Sequence, residues 1–450
     1  MPKNNVRKKF RLRAFPAMIL ALLLLFAGTP GAFASTPAPS GLKSPAQTST
    51  SVFVSWNAVS GASRYRLQYS LKADFSESSY NRFTTTSTEL RGLKSNSTYY
   101  LRVRVISADG TTNLSPYSAA VAAKTKVAPT FAAVVNPLSV ASYNVKCANC
   151  FSGAANELTW AGRRSAVVDT IKKQMPDVIG VQEASQGWLS DDPRPGGVSQ
   201  FEDLQERLQA AGANYQLTNS KRNNCVKDTT PTACVYADKG ASQGTKIFYN
   251  ASAVSLDSQG SLALPGLLGS TDNPRYMAWA VFTQKSTNKK FFIGDAHLQS
   301  GGGTDYQNLR TQQAKAMTAE IKKRNPLNYP VLVTGDMNSH KWTAPSNAPY
   351  DTLTAAGFVD PLGNTYASDL PSGTATAETT VGANYDSYNN FNRLANARNA
   401  WGNGTYIDYI FTSKMRVVEW RTVVNVDSSG NFIGTIPSDH NMIKATVQLP

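Results

Sequence analysis

The chain has 450 residues, enough for two or three domains and a sizeable core. Its formal net charge is +15, unevenly spread: six Lys/Arg and no acid fall within the first 13 positions. No segment beyond residue 34 is long and apolar enough to cross a bilayer as a helix. Behind the basic start, an apolar run from Ala17 to Ala27 precedes Ala32-Phe33-Ala34, an A-x-A cleavage pattern. This order predicts a signal peptide over residues 1–34 and a secreted, extracellular product without stable membrane insertion; an uncleaved anchor is the alternative. Without the leader the charge falls to +9, of which +7 sits in residues 36–126 and +2 in residues 127–450. Such a basic N-terminal module suits a polyanion, DNA or an anionic cell wall, or serves solubility alone.

Residues 38–126 form the first expected domain. Val52–Trp56, Tyr65–Tyr69 and Tyr99–Val105 alternate with period two, the pattern of half-buried strands in an antiparallel sandwich. At these residues the segment resembles a fibronectin type III domain. Trp56 matches the early core tryptophan, and Leu93 with Tyr99 the leucine and tyrosine-corner pair. The resemblance implies a fold and no activity. Residues 127–137, apolar and proline-bearing, read as a linker into a second domain over residues 138–450.

In that domain strands and helices mix. Val167, Ile171 and Met175 share one helical face, as do Phe201, Leu204 and Leu208, and then Leu309, Ala316, Met317 and Ile321 ahead of Pro326. Strand patterns occupy Lys246–Tyr249, Met277–Thr283, Phe291–His297, Val331–Thr334 and Ile407–Thr412. Many strands with a few helices outside them suggest an α/β sandwich. The run Leu262–Leu268 is apolar, either packed on the core or dipping into a lipid surface. Cys147, Cys150, Cys225 and Cys234 in an exported chain predict disulfides, with Cys225–Cys234 and Cys147–Cys150 the first pairing considered and a four-thiolate zinc site the alternative. The sequence carries no signal for an oligomeric state.

Candidate site residues are spread across the second domain. Glu183, Asp336, Asp408 and Asp439 each lie where an apolar strand pattern ends, a way to deliver hard oxygen ligands to one rim. Asn144 closes the first strand pattern, offering an amide to metal or phosphate. In Gly335-Asp336-Met337-Asn338, Asp336 and Asn338 share a face: the first suits a base for water, the second a donor to phosphate oxygen. Asp408 would hold His440 in one tautomer, Asp439 would support the metal or His440, and His297 would protonate a leaving oxygen. His340 reads as a loop residue beside the cleft.

In this order these positions resemble the endonuclease/exonuclease/phosphatase superfamily. The resemblance implies a four-layer α-β-β-α sandwich of two mostly antiparallel sheets with outer helices, preceded by the all-β fibronectin-like sandwich. It also implies a metal-dependent phosphoester hydrolase using Mg²⁺, with Mn²⁺ or Ca²⁺ as alternatives. The implied assignments are His297, Asp336, Asn338, Asp408 and His440 as catalytic, Asn144 and Arg275 on substrate phosphate, and Glu183, Asn144 and Asp439 on metal. One departure stands out: DNase-like members pair the His297-type residue with a glutamate, where this chain offers Gln243. Nucleic acid is the expected substrate. A lipid phosphodiesterase or a phosphomonoesterase is the alternative, and an inert adhesion protein the reading from another class.

Overall fold

The computed structural model describes residues 36–90, 92–128, 130–192, 197–219, 244–266, 268, 273–340, 348–363, 376–395 and 404–450. The expected leader, Cys225, Cys234 and Gln243 lie outside the described residues.

The N-terminal strands are β1 (Val52–Ser55), β2 (Arg64–Ser70), β3 (Ser78–Phe83), β4 (Ser87–Leu90), β5 (Thr98–Ile106) and β6 (Val121–Lys124). They form a β1-β4 pair and a four-stranded sheet ordered β3-β2-β5-β6. Alternation decides which side of each strand is buried: Tyr65 and Leu67 of β2 pack with Leu101, Val103 and Val105 of β5 around Trp56. Trp56 meets Tyr65 edge-on at 5.6 Å. The tyrosine corner is formed, with the Lys94 backbone N–H donating to the Tyr99 hydroxyl at 2.9 Å. This is the all-β sandwich that the spacing of Trp56, Leu93 and Tyr99 anticipates.

The larger unit follows with β7 (Leu138–Asn144), α1 (Trp160–Gln174), β8 (Val178–Gln182), α2 (Gln200–Ala210), β9 (Tyr215–Leu217), β10 (Lys246–Asn250) and β11 (Val254–Ala263). Then come β12 (Tyr276–Gln284), β13 (Lys289–His297), α3 (Thr304–Arg324), β14 (Val331–Asp336), α4 (Ala348–Ala355), β15 (Thr379–Val381), β16 (Asp408–Thr412), β17 (Arg416–Thr422) and β18 (Ile443–Gln448). Two sheets result, one ordered β15-β17-β18-β7-β8-β10-β9 and the other β11-β12-β13-β14-β16. Most pairings are antiparallel, but β7 runs parallel to β8 and β13 parallel to β14. Helices α1 and α3 make those two crossovers, as parallel neighbours require.

Side-chain alternation assembles the layers. Leu138 and Val140 of β7 and Val178 of β8 face inward to the second sheet, in one core with Phe282, Phe292 and Leu332. Tyr143, Ile179 and Val181 face outward to Trp160, Val167, Phe201 and Leu204 of α1 and α2. Each such buried aliphatic or aromatic chain contributes about 1.5–3 kcal/mol relative to exposure. Helix α1 stops where Met175 turns left-handed ahead of Pro176, and α2 starts at a Ser199/Glu202 capping box. On the far side α3 and α4 pack Met317, Ile321 and Leu353 against the second sheet. Leu264 of the apolar 262–268 run is buried and Leu268 is exposed. Among the described residues no helix is long and apolar enough to cross a membrane.

Between the sheets, toward the site, lies a polar layer. Asp295 Oδ1 accepts from Gln182 Nε2 at 2.7 Å and from Thr334 Oγ1 at 2.8 Å. A Cβ at residue 180 would strike both Asp295 and Thr334, so Gly180 is what lets this network fit.

Candidate active site

Strand direction converges the chemistry on one rim. The parallel strands β7, β8, β13 and β14 end there at Asn144, Gln182, His297 and Asp336; β16 begins there at Asp408. In the second sheet His297, Asp336 and Asp408 are direct cross-strand neighbours. Glu183 follows β8 with a left-handed φ of 61°, and Asn338 follows β14 with φ 46°. Such backbone is costly for residues other than glycine and is tolerated where the surroundings dictate it. Gly335, at φ 149°, answers a different need: a Cβ there would collide with the Ala296 carbonyl of β13.

Two of the four acids depart from the expected strand-end position. Asp408 opens its strand rather than closing it. Asp439 lies in an irregular segment before β18, because Pro437 breaks the ladder. That segment is fastened instead by side chains: Ser438 Oγ donates to the Asn144 carbonyl at 2.7 Å, and the Asn389 N–H donates to the Asp439 carbonyl at 2.6 Å. Buried Arg163 of α1 donates to the carbonyls of Val145 and Pro437.

The first half of the site centres on Glu183. Asn144 Nδ2 donates to Glu183 Oε1 at 2.9 Å and to Asp336 Oδ2 at 3.1 Å, bridging the two sheets. The Cys147 backbone N–H donates to Glu183 Oε2 at 3.1 Å. Burial opposes ionisation of Glu183, but the Asn144 amide, the His440 charge and the Cys147 N–H favour the carboxylate and hold it below its ordinary range. Lys146 Nζ stands 3.3 Å from Asp439 Oδ2.

The second half is a carboxylate–imidazole–carboxylate row. His440 Nδ1 donates to Asp408 Oδ2 at 2.8 Å, and its Nε2 lies 3.7 Å from Asp336 Oδ2. Burial works against the charged ring, but Asp408 and then Asp336 raise His440 to about 10. Burial first, and the Asp408 charge second, push Asp336 up to about 7. The Asn338 N–H donates to Asp336 Oδ1 at 2.8 Å while its Nδ2 donates to the Leu298 carbonyl at 3.0 Å. Tyr388 packs edge-on against His440 at 5.0 Å.

His297, expected to protonate a leaving oxygen, is held by Arg275. Arg275 Nη1 donates to His297 Nδ1 at 2.9 Å. A guanidinium has no lone pair to accept with, so Nδ1 is the acceptor and Nε2 carries the hydrogen. That Nε2 lies 3.5 Å from Asp336 Oδ2. Burial, then Arg275, hold the ring well below its ordinary range, so it is neutral. His340 is half-buried and lowered by that burial.

The donors suit a hard divalent cation. Glu183 and Asp439 offer carboxylate oxygens, and Glu183 keeps its charge; Asn144, expected on the metal, instead turns Nδ2 to Glu183 and gives its oxygen to the Lys146 N–H at 3.0 Å. Asp336, Asp408 and His440 also cluster within 4.8 Å, but a protonated imidazole is no ligand, so the Glu183 side is the better holder. The four-thiolate zinc alternative does not survive, because Cys147 and Cys150 are bonded to each other. A cleft of about 400 Å³ opens over this half, lined by Lys146, Glu183, Asn273, Arg275 and His297 among others. Sequence reading missed Lys146, Asn389 and Tyr388. Lys146 carried a signal: it sits two residues beyond Asn144.

Sandwich and site together define a metal-dependent phosphoester hydrolase behind a fibronectin type III module. The chain belongs to the endonuclease/exonuclease/phosphatase family, whose model matches residues 141–440, while the fibronectin type III model matches residues 37–121. No curated protein matches it. Among solved structures it is similar to a family protein from Bacteroides thetaiotaomicron at 20% identity and TM-score 0.51, covering 70% of this chain and 98% of that one. A mannosyl-6-phosphatase of Bacteroides thetaiotaomicron VPI-5482 aligns at 21% identity and TM-score 0.50, covering 69% and 100%. These likenesses establish the two-sheet fold.

Proposed function

We propose that the protein is a secreted, Mg²⁺-dependent endonuclease that hydrolyses nucleic-acid phosphodiesters by in-line attack of water. The observation that carries this reading is the bridging of the two sheets by Asn144, which ties ionised Glu183 to Asp336 beside the Asp408–His440 pair. Residues 1–34 are its signal peptide, 38–126 the fibronectin type III domain, 127–137 the linker and 138–450 the catalytic domain. The Cys147–Cys150 pairing suits an oxidising exterior.

Held by Glu183 and Asp439, with Asn144 orienting the Glu183 carboxylate, the divalent cation would neutralise charge on the phosphate oxygens. Asp336 takes a proton from the attacking water as the new P–O bond forms. His440, charged and held by Asp408, donates toward the phosphoryl oxygen on which negative charge accumulates, and Asn338 shapes the Asp336 loop beside it. As the P–O bond to the leaving group breaks, the leaving oxygen takes its proton from solvent, since neutral His297 has its Nε2–H directed toward Asp336. Arg275, fixed against His297, orients the substrate phosphate at the cleft.

Parallel incubation with plasmid DNA, RNA, sphingomyelin liposomes and mannose 6-phosphate, with Mg²⁺ and with EDTA, tests the assignment. Mg²⁺-dependent nicking of plasmid DNA is the expected result. Exclusive release of phosphate from the sugar, or of phosphocholine from liposomes, would replace the nuclease reading with a phosphomonoesterase or a lipid phosphodiesterase. Inertness toward all four would leave the adhesion reading.

A further inference from the structure

Opposite its buried side, the β3-β2-β5-β6 sheet presents an outer face of arginines. Arg66 lies directly across from Arg82 on one side and Arg104 on the other. Arg64 and Arg102 extend the same outward rows of β2 and β5. Like charges placed directly opposite on a sheet are unfavourable. Among the described residues none of these five arginines has a carboxylate within 4.0 Å to offset that cost. Lys72 and Glu77, at the edge, pair with each other.

The guanidinium groups are nevertheless held in place. Arg102 lies between the Phe75 ring at 3.9 Å and the Tyr117 ring at 4.2 Å, and Arg104 covers Tyr117 at 3.5 Å. Arg66 and Arg82 both cover Tyr80, at 4.7 and 5.5 Å. Arg102 Nε also donates to Gln68, and Arg66 Nη1 to Asn113. The Nε atoms of Arg66 and Arg104 are buried without a hydrogen-bond partner. Stacking fixes the planar forks while the charge stays unneutralised, which lowers the entropy lost when a phosphate docks. Tyr80 remains 49% exposed beneath the two forks that cover it.

We propose that this arginine–tyrosine face of the fibronectin type III module is a binding surface for a nucleic-acid strand, gripping its phosphates with Arg66, Arg82, Arg102 and Arg104. The choice of nucleic acid among phosphate polymers rests on the endonuclease reading and on the fixed guanidinium planes, which can stack a base that a polyol phosphate lacks. Tethering the substrate through this module raises its local concentration at the hydrolase site on the same chain.

The experiment measures binding of the full-length protein, in EDTA, to a labelled single-stranded oligonucleotide and to polyglycerol phosphate at several salt concentrations. The Arg66→Gln/Arg82→Gln/Arg104→Gln variant is expected to lose tenfold or more in oligonucleotide affinity at low salt. Its slope of log affinity against log salt should shrink by about 2, the share of three phosphates on a single strand. Hydrolysis of bis-p-nitrophenyl phosphate should be unchanged. The matching Arg→Lys triple, which keeps the charge but not the stacked fork, should restore the salt slope and regain only part of the affinity. Wild-type affinity and slope in the Gln variant would overturn the proposal, and so would tighter wild-type binding to polyglycerol phosphate than to the oligonucleotide. So would a folded Lys variant whose salt slope is as shallow as that of the Gln variant. Failure of plasmid cleavage with this binding pattern intact would remove the endonuclease reading alone.

Discussion

The two halves of the site hold their carboxylates in opposite ways. On the β7/β8 side Glu183 receives N–H donors from Asn144 and Cys147 and stays ionised despite burial. On the β14/β16 side Asp336 is buried next to Asp408 and is raised to about 7, while the same pair of acids raises His440 to about 10. Neighbouring carboxylates driven apart in acidity can take different tasks; in the proposed mechanism one keeps charge for a cation and the other trades protons near neutrality. Asn144, donating to both, couples the halves without merging them.

The largest effects should come from the proton-handling side. His440→Ala and Asp336→Asn should each lower kcat/KM on a diester by about 10²–10⁴-fold, with the thermal midpoint nearly unchanged. Wild-type turnover in either would dissolve the division of labour. Next, Glu183→Gln should raise the Mg²⁺ concentration for half-maximal activity at least about 10-fold, whereas His440→Ala should leave that requirement in place. Equal shifts in a metal titration of both variants would show one merged site.

A pH profile sharpens the contrast further. Activity should rise as Asp336 loses its proton, at or below pH about 7, and fall as His440 loses its proton near about 10. Asp408→Asn removes the charge that lifts the imidazole, so its alkaline limb should move toward neutrality. A limb that stays in place would mean that Asp408 does not set the His440 charge. The smallest effect concerns stability. Burial pushes Asp295, under the site, up to about 8 from 3.8. The folded state therefore keeps a proton that the unfolded chain releases, so this stabilisation is full below pH 3.8 and is lost as pH rises through about 8. Asp295→Asn has no proton to lose. Its melting temperature relative to wild type should climb across that window, and a flat difference would refute the linkage.

Much of this was legible in the chain because periodicity and position agree. Trp56, Leu93 and Tyr99 marked the small sandwich, and Val331–Asp336 marked both a central strand and the acid at its end. The helices showed themselves where one face is apolar, as at Phe201, Leu204 and Leu208. Strand β11 did not, because its Ser, Asp, Gln and Gly residues are half-exposed and carry no alternation. What the sequence hid was pairwise. Nothing local says that Asn144 reaches across to Asp336, that Lys146 meets Asp439, or that Arg275 sits on His297 and settles its tautomer. These contacts join residues far apart in the chain, and only the stacking of two sheets brings them within reach.

The bridge made by Asn144 has a further consequence. Because the working groups are divided between separate layers, their spacing is set by how firmly those layers are pressed together, not by any one loop. A slip of one layer over the other would silence the enzyme well before it melted. Catalytic output is therefore the most sensitive gauge of interlayer fit that this molecule offers.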